Sequence, residues 1–125
     1  MKLRFRDNSI RLRLTRAEVD AVSSEGVVKA RVSLPGGSGL DYILESSSDT
    51  ERPMARFTDG ALTVMVPEAV VNQWASSEQV SIAAVETLDD GDLLKILVEK
   101  DFACLAPREW EDETDMYPHQ QEGQE

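Results

Sequence analysis

Apolar and charged residues alternate near the start of the chain, and this alternation is the clearest structural signal in the sequence. The alternating apolar residues are Leu3, Phe5, Ile10, Leu12 and Leu14. A period of two predicts two half-buried strands. Asn8 and Ser9 are predicted to form the two-residue loop between them, because Asn tolerates the positive φ that a tight hairpin needs.

A short helix and a second hairpin are predicted to follow. Thr15 can cap a helix over about 16–24, in which Val19 and Val22 form an apolar stripe. Strands are then expected over 28–32 and 40–45, joined by the glycine-rich segment 35–39. This segment lacks the lysine of a phosphate-binding loop and lies between two strands, so it is interpreted as a turn.

The same order of elements recurs about 52 residues later. Phe5, Ile10 and Leu14 match Phe57, Leu62 and Val66 at an offset of 52, and Gly60-Ala61 occupies the position of the hairpin loop. Beyond the helix the offset becomes 53, where Ser23-Ser24-Glu25 matches Ser76-Ser77-Glu78 and Leu40 matches Leu93. The sequence therefore predicts two repeats, 1–48 and 53–100, joined by a polar segment.

The second repeat predicts its own helix and hairpin. Pro67 can occupy the first helical position of a helix extending to about residue 77, with Val71, Trp74 and Ala75 on its apolar face. Strands over 80–86 and 93–99 are predicted on either side of a turn at Asp89-Asp90-Gly91.

These elements predict an α+β fold built from a duplicated ββαββ unit. A half of about 50 residues is too small to bury a stable core alone, so the two repeats are expected to form one domain over 1–105. The expected architecture is a pseudo-twofold antiparallel sheet sandwich or a closed barrel of about eight strands with two short helices, and residues 106–125 form an acidic C-terminal segment.

Composition and charge narrow the class of protein. The chain has 125 residues and a formal net charge of −11, which makes nucleic acid an improbable partner. No apolar run is long enough for a membrane span, and the single cysteine fits a reducing compartment. A cytoplasmic protein is therefore expected.

The first hairpin carries an unusual concentration of positive charge. The predicted loop places Arg6 opposite Arg11 and Arg4 opposite Arg13 on one face, with Phe5 and the other apolar residues facing the core. Like charges that are directly opposed destabilise a hairpin, so a negative group is expected on this face. It could be nearby acidic residues around a solvated surface, the protein's own C-terminal segment, or an external anion such as phosphate, a nucleotide or nucleic acid, of which nucleic acid fits the net charge least well.

The C-terminal segment has the opposite charge. Residues 109–125 contain seven acids and no Lys or Arg. Large apolar side chains among the acids favour docking over a solvated tail. The predicted docking residues are Trp110, Glu111, Asp112, Glu113, Asp115 and Tyr117.

The candidate chemistry is sparse. Cys104 and His119 are weak candidates for metal ligands, because one Cys and one His match no zinc spacing, and Cys104 alone is typical of a small buried residue. No catalytic residue and no cofactor are predicted. The leading hypothesis is a non-enzymatic binding or adaptor module, whose arginine face receives acidic groups from the tail or from a protein partner. The alternatives are binding or conversion of a phosphate-containing ligand by the same arginines, and metal binding through Cys104 and the tail.

Two terminal motifs add a resemblance. The N-terminal motif consists of Lys2-Leu3-Arg4 and residues 8–14. The C-terminal motif consists of residues 99–105, Glu111-Asp112-Glu113 and Tyr117-Pro118. At both ends the chain thereby resembles a family of small acidic bacterial proteins of unknown function. His119 stands where that family has Asn after the aromatic-Pro pair. The resemblance implies no activity.

Overall fold

The strands and helices follow the order that the hydrophobic pattern predicts. A computed structural model describes residues 1–102. In chain order its strands and α-helices are β1 (Lys2–Arg6), β2 (Ser9–Leu14), α1 (Arg16–Glu25), β3 (Val27–Ser33), β4 (Gly39–Ser47), β5 (Met54–Thr58), β6 (Ala61–Pro67), α2 (Glu68–Ala75), β7 (Ser81–Thr87) and β8 (Leu93–Lys100). A 3₁₀ turn, Pro35–Gly37, lies between β3 and β4 and confirms the turn predicted there.

Both N-terminal hairpins turn one residue earlier than the sequence predicts. Their loops are Asp7-Asn8 and Asp59-Gly60 instead of Asn8-Ser9 and Gly60-Ala61. Asp7 has a φ of 49° and Asp59 has a φ of 53°. Asp accepts this left-handed conformation more readily than most residues, which explains the earlier turn. Because the pairing shifts by two residues, each side chain keeps its predicted face.

The helix ends differ in how well the sequence predicts them. Thr15 caps α1 as expected: its hydroxyl accepts from the Glu18 backbone N–H at 3.3 Å, and the Glu18 carboxylate accepts from the Thr15 N–H at 2.9 Å. Pro67, predicted as the first helical residue of α2, instead ends β6 and precedes the helix with an extended ψ of 139°. Its pairing with Ser47 of β4 keeps it in the sheet.

The strands form two four-stranded sheets, and each sheet combines hairpins from both halves of the chain. The first sheet has the order β1-β2-β8-β7 and the second has the order β3-β4-β6-β5. Strands pair antiparallel within each hairpin, whereas β2 with β8 and β4 with β6 run parallel. The predictions of a closed barrel and of wholly antiparallel pairing are therefore wrong. In each sheet the parallel pair joins a hairpin of the first half to a hairpin of the second half.

The second hairpins of the two halves correspond at a different offset from the predicted one. Val27 pairs with Glu45 in one, and Ser81 pairs with Glu99 in the other, so matching positions lie 54 residues apart. Leu44 and Val98, both buried, match at this offset. The predicted offset of 53 would align an inward residue with an outward one, because a shift of one residue reverses the faces of a strand.

One hydrophobic core contains residues from both sheets and both helices. The predicted helix residues Val19, Val22, Val71 and Trp74 are buried in it. The Trp74 indole N–H donates to the Val80 carbonyl at 2.9 Å, which satisfies its polar atom. Neither helix within 1–102 has the length and apolar character needed to cross a membrane.

The phenylalanines of the first hairpins lie outside this core. Phe5 lies on the core-facing side of β1, opposite the buried Ile10, as predicted, but it is 58% exposed, and Phe57 is 66% exposed. Both residues are on edge strands, β1 and β5. An edge strand has a neighbour on one side only, so an inward-facing side chain near its hairpin turn is left partly uncovered.

Candidate functional site

The outward side chains of the first sheet form three rows that cross all four strands. The strand registers place Arg6, Ser9, Lys95 and Val85 in the first row, Arg4, Arg11, Leu97 and Ala83 in the second row, and Lys2, Arg13, Glu99 and Ser81 in the third row. We call these three rows the basic face. They hold six cationic side chains and one carboxylate, which leaves five net positive charges.

The four predicted arginines do share this face, but their pairing differs from the prediction. Arg4 lies opposite Arg11, and Arg6 lies opposite Ser9. In the matching hairpin of the second half, β5–β6, Arg56 lies opposite Thr63. These differences follow from the earlier hairpin turns. The direct opposition of two arginines, which motivated the search for a negative group, therefore occurs once, between Arg4 and Arg11.

Glu99 neutralises part of the basic face. Its carboxylate Oε1 accepts from the Arg13 Nε at 2.9 Å and lies 3.4 Å from the Arg11 Nε. Only 14% of the Glu99 side chain is exposed, against 21% for Arg13 and 29% for Arg11. Lys2 pairs with Asp101 at 3.1 Å. The positive charges of the third row are thus balanced by Glu99, which belongs to the same sheet, and by Asp101, the residue that follows β8.

In the first and second rows, Arg11 has such a partner in Glu99, but the other arginines do not. Within residues 1–102, neither Arg4 nor Arg6 has a carboxylate within 4.0 Å. Together with Arg11 and Lys95 they border a surface cavity of about 450 Å³. The outward side chains of Ala83, Val85 and Leu97 also line this cavity, and they form an apolar floor beside the cations.

The corresponding face of the second sheet provides an internal comparison. Its rows contain the cations Arg31, Lys29 and Arg56 and the acids Asp41 and Glu45. Arg31 and Asp41 form an ion pair at 3.0 Å. Positive charge therefore accumulates on the first sheet only, although the two sheets are built in the same way.

Two residues of the basic face were not predicted from the sequence. Lys95 and Glu99 are outward residues of β8, and the alternation of this strand predicts that they face away from the core. The sequence does not indicate that β8 lies beside β2, because that pairing joins segments more than 80 residues apart. Their membership in the face therefore depends on the tertiary structure.

A second charged contact lies at the first turn of α1. The Glu18 carboxylate binds the N-terminal ammonium of Met1 and accepts hydrogen bonds from Thr15. Burial raises the pKa of the Glu18 carboxyl, but the ammonium and the Thr15 hydrogen bonds lower it by more. The pKa of Glu18 therefore lies below its ordinary value of 4.5.

The remaining predicted site residues lie outside the described part of the chain. These are the metal candidates Cys104 and His119 and the docking residues Trp110, Glu111, Asp112, Glu113, Asp115 and Tyr117. Within residues 1–102, no group of three His, Cys, Asp or Glu side chains is arranged to hold a metal ion.

The fold and the basic face together define a two-sheet α+β protein with a cationic outer surface on one sheet. The chain belongs to a family of unknown function (DUF7009), whose sequence profile matches residues 1–121. The predicted resemblance to a family of unknown function is thereby confirmed. No curated protein and no solved structure matches the chain.

Proposed function

We propose that this protein is a non-enzymatic binding module whose basic face receives acidic peptide segments. The observation that carries the proposal is the second row, where Arg4 lies opposite Arg11 beside Leu97 and Ala83. Repulsion between opposed arginines costs stability. Glu99 of the third row pairs with Arg11, but no carboxylate within residues 1–102 pairs with Arg4. An acidic ligand would relieve this repulsion when it binds.

The surroundings of the arginines favour a peptide with both acidic and apolar side chains. Arg4 and Arg6 offer planar guanidinium groups that bind carboxylates through paired hydrogen bonds. Val85 and Leu97 supply apolar surface next to them. The net charge of −11 would repel a long polyanion such as nucleic acid, whereas a short acidic segment needs only the local field.

Binding of a fluorescein-labelled oligoglutamate peptide, followed by fluorescence anisotropy at low salt, tests the proposal. The charge reversal Arg4→Glu should weaken binding about tenfold, because it removes an attractive contact and adds a repulsive one. The matched control is Arg56→Glu, which changes the same position of the second sheet. Equal affinities for the two variants, or no binding to the wild type, would contradict the proposal.

The cavity favours a second candidate, a small molecule that carries phosphate. Its volume of about 450 Å³ is within the range of small-ligand sites, and Arg4, Arg6, Arg11 and Lys95 surround it. The arginines lie on an open sheet surface, so such a ligand would bind on the outside of the sheet. A thermal-shift screen with inorganic phosphate, nucleotides and sugar phosphates tests the candidate. It fails if no compound raises the Tm at millimolar concentration.

We also infer that the two halves descend from one ββαββ unit. Exchanging the halves converts the strand order of one sheet into that of the other, and the paired registers correspond. Comparison of the halves in other members of the family tests this. Halves that match each other no better than shuffled sequences would count against a common origin.

A further inference from the structure

The chain continues from the edge of the basic face toward its acidic segment. β8 ends at Lys100, and the next carboxylate, Asp101, forms the ion pair with Lys2 of the third row. The Asp101 backbone N–H donates to the Leu14 carbonyl at 2.8 Å, which fixes the start of the following segment beside β2. The first acid after the sheet therefore already contacts a cation of the basic face.

We propose that the acidic segment 109–117 of this chain is the resident occupant of the first and second rows. This inference rests on the proposed function, because it takes the basic face to be a binding site for acidic peptides. The segment contains five acids and no Lys or Arg, together with Trp110, Met116 and Tyr117. Its acids complement Arg4, Arg6 and Lys95, and its large apolar side chains complement the floor at Val85 and Leu97.

The connecting chain is long enough for this docking. An extended chain spans about 3.3 Å per residue, so the residues from 102 to 109 reach about 23 Å. The basic face measures about 15 Å across its four strands, since neighbouring strands lie about 4.8 Å apart. The second row lies two residues along the strands from the third row, so an extended connector can reach it, and the nine-residue segment 109–117 can continue from there to the first row.

Docking within the same chain has a consequence for partner binding. A tethered segment of this length is present at an effective concentration in the millimolar range. An occupant with an intrinsic Kd of about 0.1 mM would then weaken the apparent affinity for a separate acidic peptide about tenfold. The segment 109–117 would act as an internal competitor that only a tighter acidic partner displaces.

The test compares two full-length variants that differ in where four acids are neutralised. The tail variant carries Glu111→Gln, Asp112→Asn, Glu113→Gln and Asp115→Asn. The charge-matched control carries Asp20→Asn, Glu25→Gln, Asp49→Asn and Glu51→Gln, all at exposed positions. Both changes raise the net charge equally, so long-range electrostatics cannot separate the variants. The probe is the labelled oligoglutamate peptide.

We expect the tail variant to bind the probe about tenfold more tightly than the charge-matched control. Equal affinities for the two variants, with binding that still depends on Arg4, would overturn the docking of the segment and leave the proposed function intact. Loss of probe binding in every variant would overturn both.

Tryptophan fluorescence supplies a second readout that needs no external ligand. The chain has two tryptophans, and Trp74 is 0% exposed, so acrylamide quenching reports mainly on Trp110. Arg4→Glu, and 0.5 M NaCl on the wild type, should each raise the quenching constant of the full-length chain. Arg56→Glu should leave it unchanged. Identical quenching constants for Arg4→Glu and Arg56→Glu would overturn the inference.

Discussion

Replacing Glu99 by glutamine tests the role of the one carboxylate in the three rows of the basic face. The substitution keeps an oxygen near the Arg13 Nε, now 2.9 Å from the carboxylate, and keeps the size of the side chain. It removes the negative charge that Arg11 and Arg13 share. We expect lower stability and, at the same time, tighter binding of acidic peptides, because the face gains one net positive charge.

The size of the stability loss follows from the geometry. A hydrogen bond that involves a charged group contributes about 1.5–3 kcal/mol, and the bond from the charged Arg13 to a neutral glutamine oxygen falls at the lower end of that range. Exchanging one for the other at Arg13 costs about 1 kcal/mol, and losing the attraction to Arg11 at 3.4 Å costs about 0.5 kcal/mol more. The free energy of unfolding should therefore fall by about 1.5 kcal/mol.

Urea unfolding at low salt measures this loss, and Glu45→Gln is the matched control. Glu45 occupies the position of Glu99 in the second sheet, but Met65 and Val27 flank it where Glu99 has Arg13 and Ser81. Glu45→Gln should cost less than about 0.5 kcal/mol, because Glu45 is half-buried but forms no ion pair within residues 1–102. The effect of Glu99→Gln should shrink at 0.5 M salt, because screening weakens the lost attraction. Equal losses for the two variants, or a Glu99→Gln variant that binds oligoglutamate no better than the wild type, would refute the reasoning.

Three further predictions concern the core, the acid response and a helix end. Trp74→Ala should reduce the unfolding free energy by about 4 kcal/mol, since it removes a fully buried ring and a hydrogen bond to Val80; a loss below about 2 kcal/mol in urea unfolding would contradict this. Because the pKa of Glu18 is lowered on folding, its carboxylate stabilises the protein above pH 4.5, and this contribution is lost as the pH falls through the lower folded pKa. Glu18→Gln should therefore be less stable than wild type at pH 7, with a gap that closes in acid; a gap independent of pH in thermal unfolding, or an equal pH response in Glu68→Gln, would show that the carboxylate does not act in this way. Gly26 ends α1 with a φ of 88°, so Gly26→Ala should cost about 1 kcal/mol through backbone strain alone, as no atom lies within 4 Å of an added Cβ; unchanged urea unfolding would exclude that strain.

Much of the local structure could be predicted from the residues alone. Period-two alternation located β1 and β2, and Thr15 marked the start of α1, because these signals arise between residues close in sequence. The hairpin turns were missed by one residue. Asp59-Gly60 is a strong hairpin-turn signal that could have located the observed loop. Asp7-Asn8 is the matching pair in the first half, and both of its residues also tolerate a positive φ.

The candidate site was predicted only in part for a related reason. Alternation correctly placed the four arginines of β1 and β2 on one face, since facing within a hairpin depends on period alone. It did not reveal that Glu99 would balance Arg11 and Arg13, nor that Lys95 would join Arg4 and Arg6. Both residues reach the face through a pairing between distant strands.

By itself, the sequence determined which segments become strands and helices, which side of each strand faces the core, and where positive charge concentrates. Only the tertiary structure decided that the two hairpins of each half lie in different sheets, that β2 runs parallel to β8, and that the arginines lie on an open surface. The physical reason is that periodicity and capping act between neighbouring residues. The pairing between strands of opposite halves, and the register of that pairing, are instead selected by burial of the hydrophobic core, to which both halves contribute.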